Sequence, residues 1–360
     1  GATVDSSRSG SSVLEYNNEG YFFRAQYNYD EKYFVSGSYR RDASSRFHPD
    51  HRWGNFWSAS AAWEIAKEKF MEEFTNVDML KFKFSFGQNG NDNIGNYYAY
   101  LDQYTMTGAD GVFSDSQLVY KGNPEITWET SNNLNVGFDF SFFKGMLSGT
   151  AEYYQRQVTD MLFNVPTDPS LGYTSQPKNV GSMRNNGFEL ELNYRPVNTR
   201  DITWDIYANI TIPQNKVLKL APELLDGNGD WISGSRILRE GESMYNMYLV
   251  KSAGVDSKTG EALYWYREKL LDADGNVVVK NGMTQYADEE KTTADWSLAR
   301  ESNRVSTGNI MPKGYGGFGT SLQAYGFDLA VNFSYQFGGR QYDNSYVDYM
   351  SSMNSKNIGQ

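Results

Sequence analysis

The two histidines of the 360-residue chain fall in one short segment, Arg46-Phe47-His48-Pro49-Asp50-His51-Arg52. His-x-x-His spacing can hold a metal when a helix aligns the rings and further ligands complete the shell. No helix is predicted to align this pair, so a solvated loop between strands is the expectation and no metal site is assigned. Cysteine is absent, which removes disulfides, Cys-zinc sites and thiol nucleophiles together. Asp272-Ala273-Asp274-Gly275-Asn276 looks superficially like a calcium loop. An EF-hand needs Gly at its sixth position and Glu at its twelfth. Here Gly275 stands fourth and Met283 twelfth, so an Asp-Gly turn is expected. Asp226-Gly227-Asn228-Gly229-Asp230 reads the same way. An oxygen-ligand Ca²⁺ site in either loop is the secondary expectation, and no other cofactor is expected.

Catalytic motifs are missing. There is no phosphate-binding Gly-x-x-x-x-Gly-Lys-Ser/Thr loop, and Gly314–Gly319 precedes a strand instead of a helix. No Gly-x-Ser-x-Gly elbow occurs. Carboxylates are many, but nothing singles out a glycosidase pair. An enzyme reading therefore has no residue to rest on. Net charge is -11, which disfavours nucleic acid, because phosphate binding needs a basic face.

Aromatic residues in polar loops are the more useful signal. Tyr97, Tyr98, Tyr100, Tyr104, Tyr173, Trp231 and Trp296 lie among Asn, Asp and Gln, where a polar ligand could stack and hydrogen-bond. The competing expectation is that they pack the loops together.

The elements that position these loops are strands. Aromatics make up 16% of the chain and hydrophobic residues only 39%, with 34 Gly and 9 Pro. That balance favours strands joined by Gly-containing turns over helices or disorder. Leu134, Val136, Phe138, Phe140 and Phe142 alternate with Asn135, Gly137, Asp139 and Ser141. A strand puts the two sets on opposite faces. Lys144-Gly145 then turns the chain into Leu147, Gly149, Ala151 and Tyr153, opposite Ser148, Thr150 and Glu152. The same unit recurs around Tyr21–Tyr39, Trp57–Ile65, Phe82–Phe86, Phe188–Tyr194, Trp204–Ile212 and Phe327–Phe337. About a dozen strands of membrane-spanning length are expected.

Connections alternate in length. Asp30-Glu31, Lys144-Gly145, Pro196–Arg200 and Tyr325-Gly326 are tight, whereas 87–124, 164–179, 215–243 and 267–313 are long. Short turns at one end and long loops at the other is the layout of an outer-membrane barrel. A soluble β-sandwich is the alternative, but its strands are shorter and its loops short at both ends.

Tyr27-Asn28-Tyr29-Asp30-Glu31-Lys32-Tyr33-Phe34, followed by Ser38-Tyr39-Arg40-Arg41-Asp42-Ala43-Ser44-Ser45-Arg46-Phe47, resembles the SusC/RagA family of TonB-dependent outer-membrane transporters. Further blocks in family order are Arg52–Phe56, Ser60–Trp63, Phe86–Asn91, Trp128–Ser131, Asn179–Met183, Gly254–Asp256 and Pro312–Gly314. The resemblance implies an all-β fold: part of a large antiparallel transmembrane barrel, about 22 strands when complete and plugged. Residues 1–360 are then expected to form one partial barrel domain, without the plug and the last strands. The implied function is import of oligosaccharides or peptides across the bacterial outer membrane, with no catalysis. The implied partners are a SusD-like surface lipoprotein, the TonB complex acting through the plug, and the lipid bilayer.

In such a barrel Asp139, Glu152, Arg156, Glu189, Glu191 and Asn332 would face the lumen. Val136, Phe138, Phe140, Leu190, Leu192, Ile206, Leu329, Val331 and Phe333 would face lipid. The alternative function is a soluble glycan-binding β-protein that uses the loop aromatics.

Overall fold

The computed structural model describes residues 13–109 and 112–341, together with 343 and 345. Its main feature is one ten-stranded antiparallel sheet. The strands are β1 (Asn18–Tyr29), β2 (Tyr33–Ser44), β3 (Trp53–Glu64), β4 (Val77–Asn91), β5 (Glu129–Phe142), β6 (Leu147–Thr159), β7 (Ser182–Asn198), β8 (Ile202–Lys219), β9 (Gly314–Ala324) and β10 (Phe327–Phe337). They lie side by side in chain order, so every connection joins neighbours. Such up-and-down order is what short hairpins impose.

Period-two sequence becomes two-faced sheet through the register. Phe138 pairs with Phe82 on β4 and Ala151 on β6. Ala151 pairs with Leu190, and Leu190 with Ile210. One apolar row thus crosses five strands. A second runs from Ile206 through Thr320 to Val331. Gly149 leaves room for such a row: a Cβ there would stand 2.8 Å from the Phe140 ring and 2.2 Å from the Glu191 carbonyl.

The turns at one end are tight. Asp30 and Glu31 take φ of 53° and 50°, Phe143 and Lys144 both 58°, and Tyr325 and Gly326 51° and 86°. These left-handed values match the right-handed twist of the flanking strands. The β3–β4 connection, 65–76, is longer and holds two 3-10 turns, Ile65–Lys67 and Lys69–Met71.

At the other end the loops carry their own structure. Between β4 and β5 stands a hairpin, Gln103–Ala109 with Val112–Tyr120. Between β6 and β7, Leu162–Pro166 pairs with Ser175–Asn179. The stretch 220–313 is one excursion between β8 and β9. It holds a four-stranded sheet, a three-stranded sheet, a two-residue hairpin and the helix Trp296–Ser302. Alternation and turn signals in the sequence imply two separate long loops here and about a dozen strands overall. The sheet has ten among the described residues, because Asn246–Val250, Ser252–Val255 and Ala262–Lys269 pair within the excursion.

Burial follows this plan. The fully buried side chains sit mainly among the loops, where Phe47, Ile94, Ala99 and Ile126 form a small core. The wall exposes its large apolar side chains instead: Phe23 is 67% exposed, Phe333 55% and Leu329 57%. No second sheet covers that face among the described residues, so the arrangement is not a two-layer sandwich. An apolar surface this extended needs a non-aqueous neighbour.

Candidate functional site

Two surfaces carry the polar chemistry: the face of the wall opposite the apolar rows, and the loop assembly above it. On the wall, Lys83 is central. Its ammonium lies 2.6 Å from Asp139 and 4.0 Å from Glu152. Thr150 donates to Asp139 at 2.9 Å. Serines pair across β2 and β3, Ser36 with Ser60 at 2.7 Å and Ser38 with Ser58 at 2.6 Å. A cavity of about 560 Å³ opens on this face, lined by Arg24, Ser36, Ser60, Lys83, Asn135 and Glu152 among others.

The six polar candidates share this face by register. Glu152 stands opposite Glu189, and Thr150 opposite Glu191. Like charges set directly opposite each other are unfavourable unless something screens them. Arg156 donates to Ser131 at 3.0 Å. Tyr207 hydrogen-bonds Asn332. Lys83 was not singled out from sequence, although its alternation with Phe82 and Phe84 places it on the polar face.

The nine apolar candidates share the other face. Phe140, Leu192 and Ala208 form one row through Gly149. Val136 pairs with Phe84, and Phe333 stacks on Phe318 with centroids 5.0 Å apart. Leu329 pairs with Leu322, next to the row that joins Ile206 and Val331.

The loop aromatics do not converge on one pocket. Tyr97 lies under the Arg46 guanidinium at 4.9 Å, and Tyr16 flanks the same cation at 4.8 Å. The Tyr98 hydroxyl accepts from the Glu15 N–H at 3.4 Å. Tyr100 packs on the small core and against His48, 5.9 Å between centroids. Trp231 meets Phe163 edge-on at 6.0 Å. The Tyr173 carbonyl accepts from the Thr167 hydroxyl at 2.9 Å. Tyr104 and Trp296 are the open ones, 56% and 46% exposed, and Arg300 lies over the Trp296 ring at 5.1 Å. Loop packing therefore occupies most of the set.

Side chains to which the sequence assigns no fastening role hold these loops together. Trp128 donates to the Arg52 carbonyl at 2.8 Å, and the Phe47 and Phe56 rings meet its indole edge-on. Asn179 and Thr127 exchange two hydrogen bonds of 2.8 Å. Arg239 makes a forked pair with Asp230 at 2.6 and 2.7 Å, and Asp230 raises the Arg239 pKa. Such forked geometry is the strong form of an ion pair.

The histidines lie apart from any ligand cluster. His51 faces Glu125 at 3.2 Å and His48 faces Asp50 at 3.4 Å. Among the described residues no group of three or more His, Asp or Glu is placed to hold a metal ion. Asp272 and Asp226 use their carboxylates inside their own turns. Asp272 accepts from the Asn276 and Asp274 N–H groups, and these bonds hold its pKa below the usual carboxylate range. Asp226 accepts from Asn228 and Asp230.

Comparison with known proteins agrees with this geometry. Residues 2–348 match the family model described as TonB dependent receptor-like, beta-barrel. TonB-dependent receptor P39 of Formosa agariphila is 29% identical over 354 residues, covering 89% of this chain and 33% of the relative. TonB-dependent receptor SusC of Bacteroides thetaiotaomicron is 33% identical over 207 residues, 56% of this chain and 21% of the relative. The solved structure of the RagAB peptide transporter superposes with a TM-score of 0.74 at 28% identity, covering 93% of this chain and 35% of that one. The chain thus spans about a third or less of the length of these relatives.

Proposed function

Because the chain belongs to the TonB-dependent receptor β-barrel family of the outer membrane, we propose that it supplies wall and extracellular loops to a nutrient importer of the SusC type. One observation carries this reading. A single sheet divides an apolar face from a polar face, with tight turns at one end and structured loops at the other. The apolar face meets lipid. The polar face, with the Lys83–Asp139–Glu152 group, lines the lumen. Energy from the TonB complex reaches the protein through a plug domain, and a SusD-like lipoprotein covers the loops. The cargo is an oligosaccharide or a peptide too large for passive pores. The likeness to SusC and to the RagAB peptide transporter supports that range. The protein transports and does not catalyse.

Deletion of the full-length gene tests this reading through uptake of labelled peptides and labelled oligosaccharides. Loss of one class, matched by the loss seen when TonB is inactivated, is expected. Uptake of both classes at wild-type rate would overturn it. The soluble-binder alternative predicts instead that the protein is recovered from the aqueous fraction without detergent.

A further inference from the structure

The four-stranded sheet inside the 220–313 excursion brings together two arginines to which the wall and its faces give no role. Arg236 stands opposite Met247, and Met247 opposite Gly308, so the three share one face across three strands. Gly308 has φ of 101°, and a Cβ there would lie 3.5 Å from Nε of Arg340. The missing side chain leaves the place that the Arg340 guanidinium occupies. Arg236 and Arg340 therefore flank Met247 on one surface, although one comes from the excursion and the other from the segment that follows β10.

The two arginines border a cavity of about 920 Å³ at the end of β10. Ser233, Ser235, Gln336 and Gln341 add hydrogen-bonding groups to its wall, and among the described residues no Asp or Glu lines it. That is a local reversal in a chain with 44 acidic and 33 basic residues. The turn that presents Ser233, Ser235 and Arg236 is pinned from two sides. Arg304 donates to the Gly234 carbonyl at 3.2 Å, and the Tyr248 N–H donates to the Ser235 carbonyl at 2.8 Å. Other cations of the excursion pair with carboxylates: Lys251 with Glu290, Lys269 with Glu301, Lys291 with Glu268 and Arg239 with Asp230.

We infer that this cavity binds an acidic peptide cargo, with Arg236 and Arg340 taking its carboxylates. The inference rests on the reading that the loops admit cargo, and it narrows that cargo to one charge class. A guanidinium presents a planar fork of donors that matches a carboxylate. Met247, Ile310 and Pro312 supply an aliphatic wall beside the two cations, which suits the apolar side chains of a peptide. Phe337 is the one aromatic among the described lining residues, so a sugar ring finds little surface to stack on.

Binding to the full-length receptor with its lipoprotein, in detergent micelles, tests this. The probes are a short acetylated peptide with Glu at alternate positions, its Gln counterpart and an oligouronate. The Glu peptide should bind about tenfold tighter or more than the Gln peptide, the difference expected of one charge-assisted pair. Arg236→Gln or Arg340→Gln should remove that preference and leave affinity for the Gln peptide unchanged. The ratio of the two peptides on the parent receptor needs no variant, so a variant that fails to assemble leaves the test intact. Equal affinity for the two peptides, or a preference that survives both substitutions, would overturn the site. Tighter, arginine-dependent binding of the oligouronate would overturn the peptide assignment. The importer reading is judged separately, by uptake in the deletion strain.

Discussion

Asp102 closes the base of the hairpin in the β4–β5 loop. Its carboxylate accepts from the Lys121 ammonium at 2.8 Å and from the Gly122 N–H at 2.9 Å. The Lys121 bond and then the Gly122 bond hold the Asp102 pKa below the usual carboxylate range, and Asp102 raises that of Lys121. A carboxyl with a lowered folded pKa stabilises the closed base above its unfolded pKa. That contribution is lost as pH falls through the folded value. Both side chains are about one-third exposed, so solvent screens the pair and the effect is local. The Gly122 amide should therefore lose protection from exchange in acid, and Asp102→Asn should flatten that dependence. Protection of Gly122 that is independent of pH in the parent chain would refute this role. At this scale the sequence was partly legible. Asp226 and Asp272 read as turn residues because an Asp opening an Asp/Asn/Gly-rich run caps the N–H groups that follow it. The Trp128 and Asn179 fastenings were not legible, since their partners lie 76 and 52 residues away along the chain, and no local period announces the Asp230–Arg239 fork.

Strands are where alternation turns into a physical boundary. Leu190 on β7 sits between Ala151 and Ile210 on the apolar face. Arg at that position should cost about 2–4 kcal/mol near mid-membrane. Asp139→Asn, on the opposite face, should be milder, because it weakens one contact and leaves Lys83 near Glu152. Urea unfolding of the full-length receptor from vesicles measures both, and equal losses would contradict the two-face arrangement. The hairpins were legible because each residue's face follows from parity: Leu134–Phe142 and Leu147–Tyr153 pair in the structure as their patterns require. The 220–313 excursion was not. Its strand Tyr286–Thr293 reads Tyr-Ala-Asp-Glu-Glu-Lys-Thr-Thr, with no apolar face, and it is held by pairing with Ala262–Lys269 and by ion pairs such as Lys251–Glu290 at 2.8 Å. Short polar ribbons of this kind depend on tertiary contacts that no local period announces.

Among the described residues the wall is an open sheet whose first and last strands each have one neighbour. In hydrocarbon every unpaired backbone N–H or C=O costs several kcal/mol, so an open edge is not tolerated there. Ten strands are a little under half of a plugged barrel of about 22, consistent with a chain that covers 35% of the RagAB relative. On the proposed membrane reading the outer edges of β1 and β10 are expected to be paired, and further barrel strands are the partners proposed to complete a closed wall. This predicts that in the full-length receptor the amides of Asn18–Tyr29 and Phe327–Phe337 are protected from exchange as well as those of β6, which has two neighbours. Residues 1–360 produced alone in micelles should lose that protection at β1 and β10 first, while β6 and β7 stay protected longer. Hydrogen exchange read by mass spectrometry compares the two samples directly. Rapid exchange along both edges in the full-length receptor would mean that the wall does not close through these strands. The apolar rows would then need a different neighbour from a continuous bilayer.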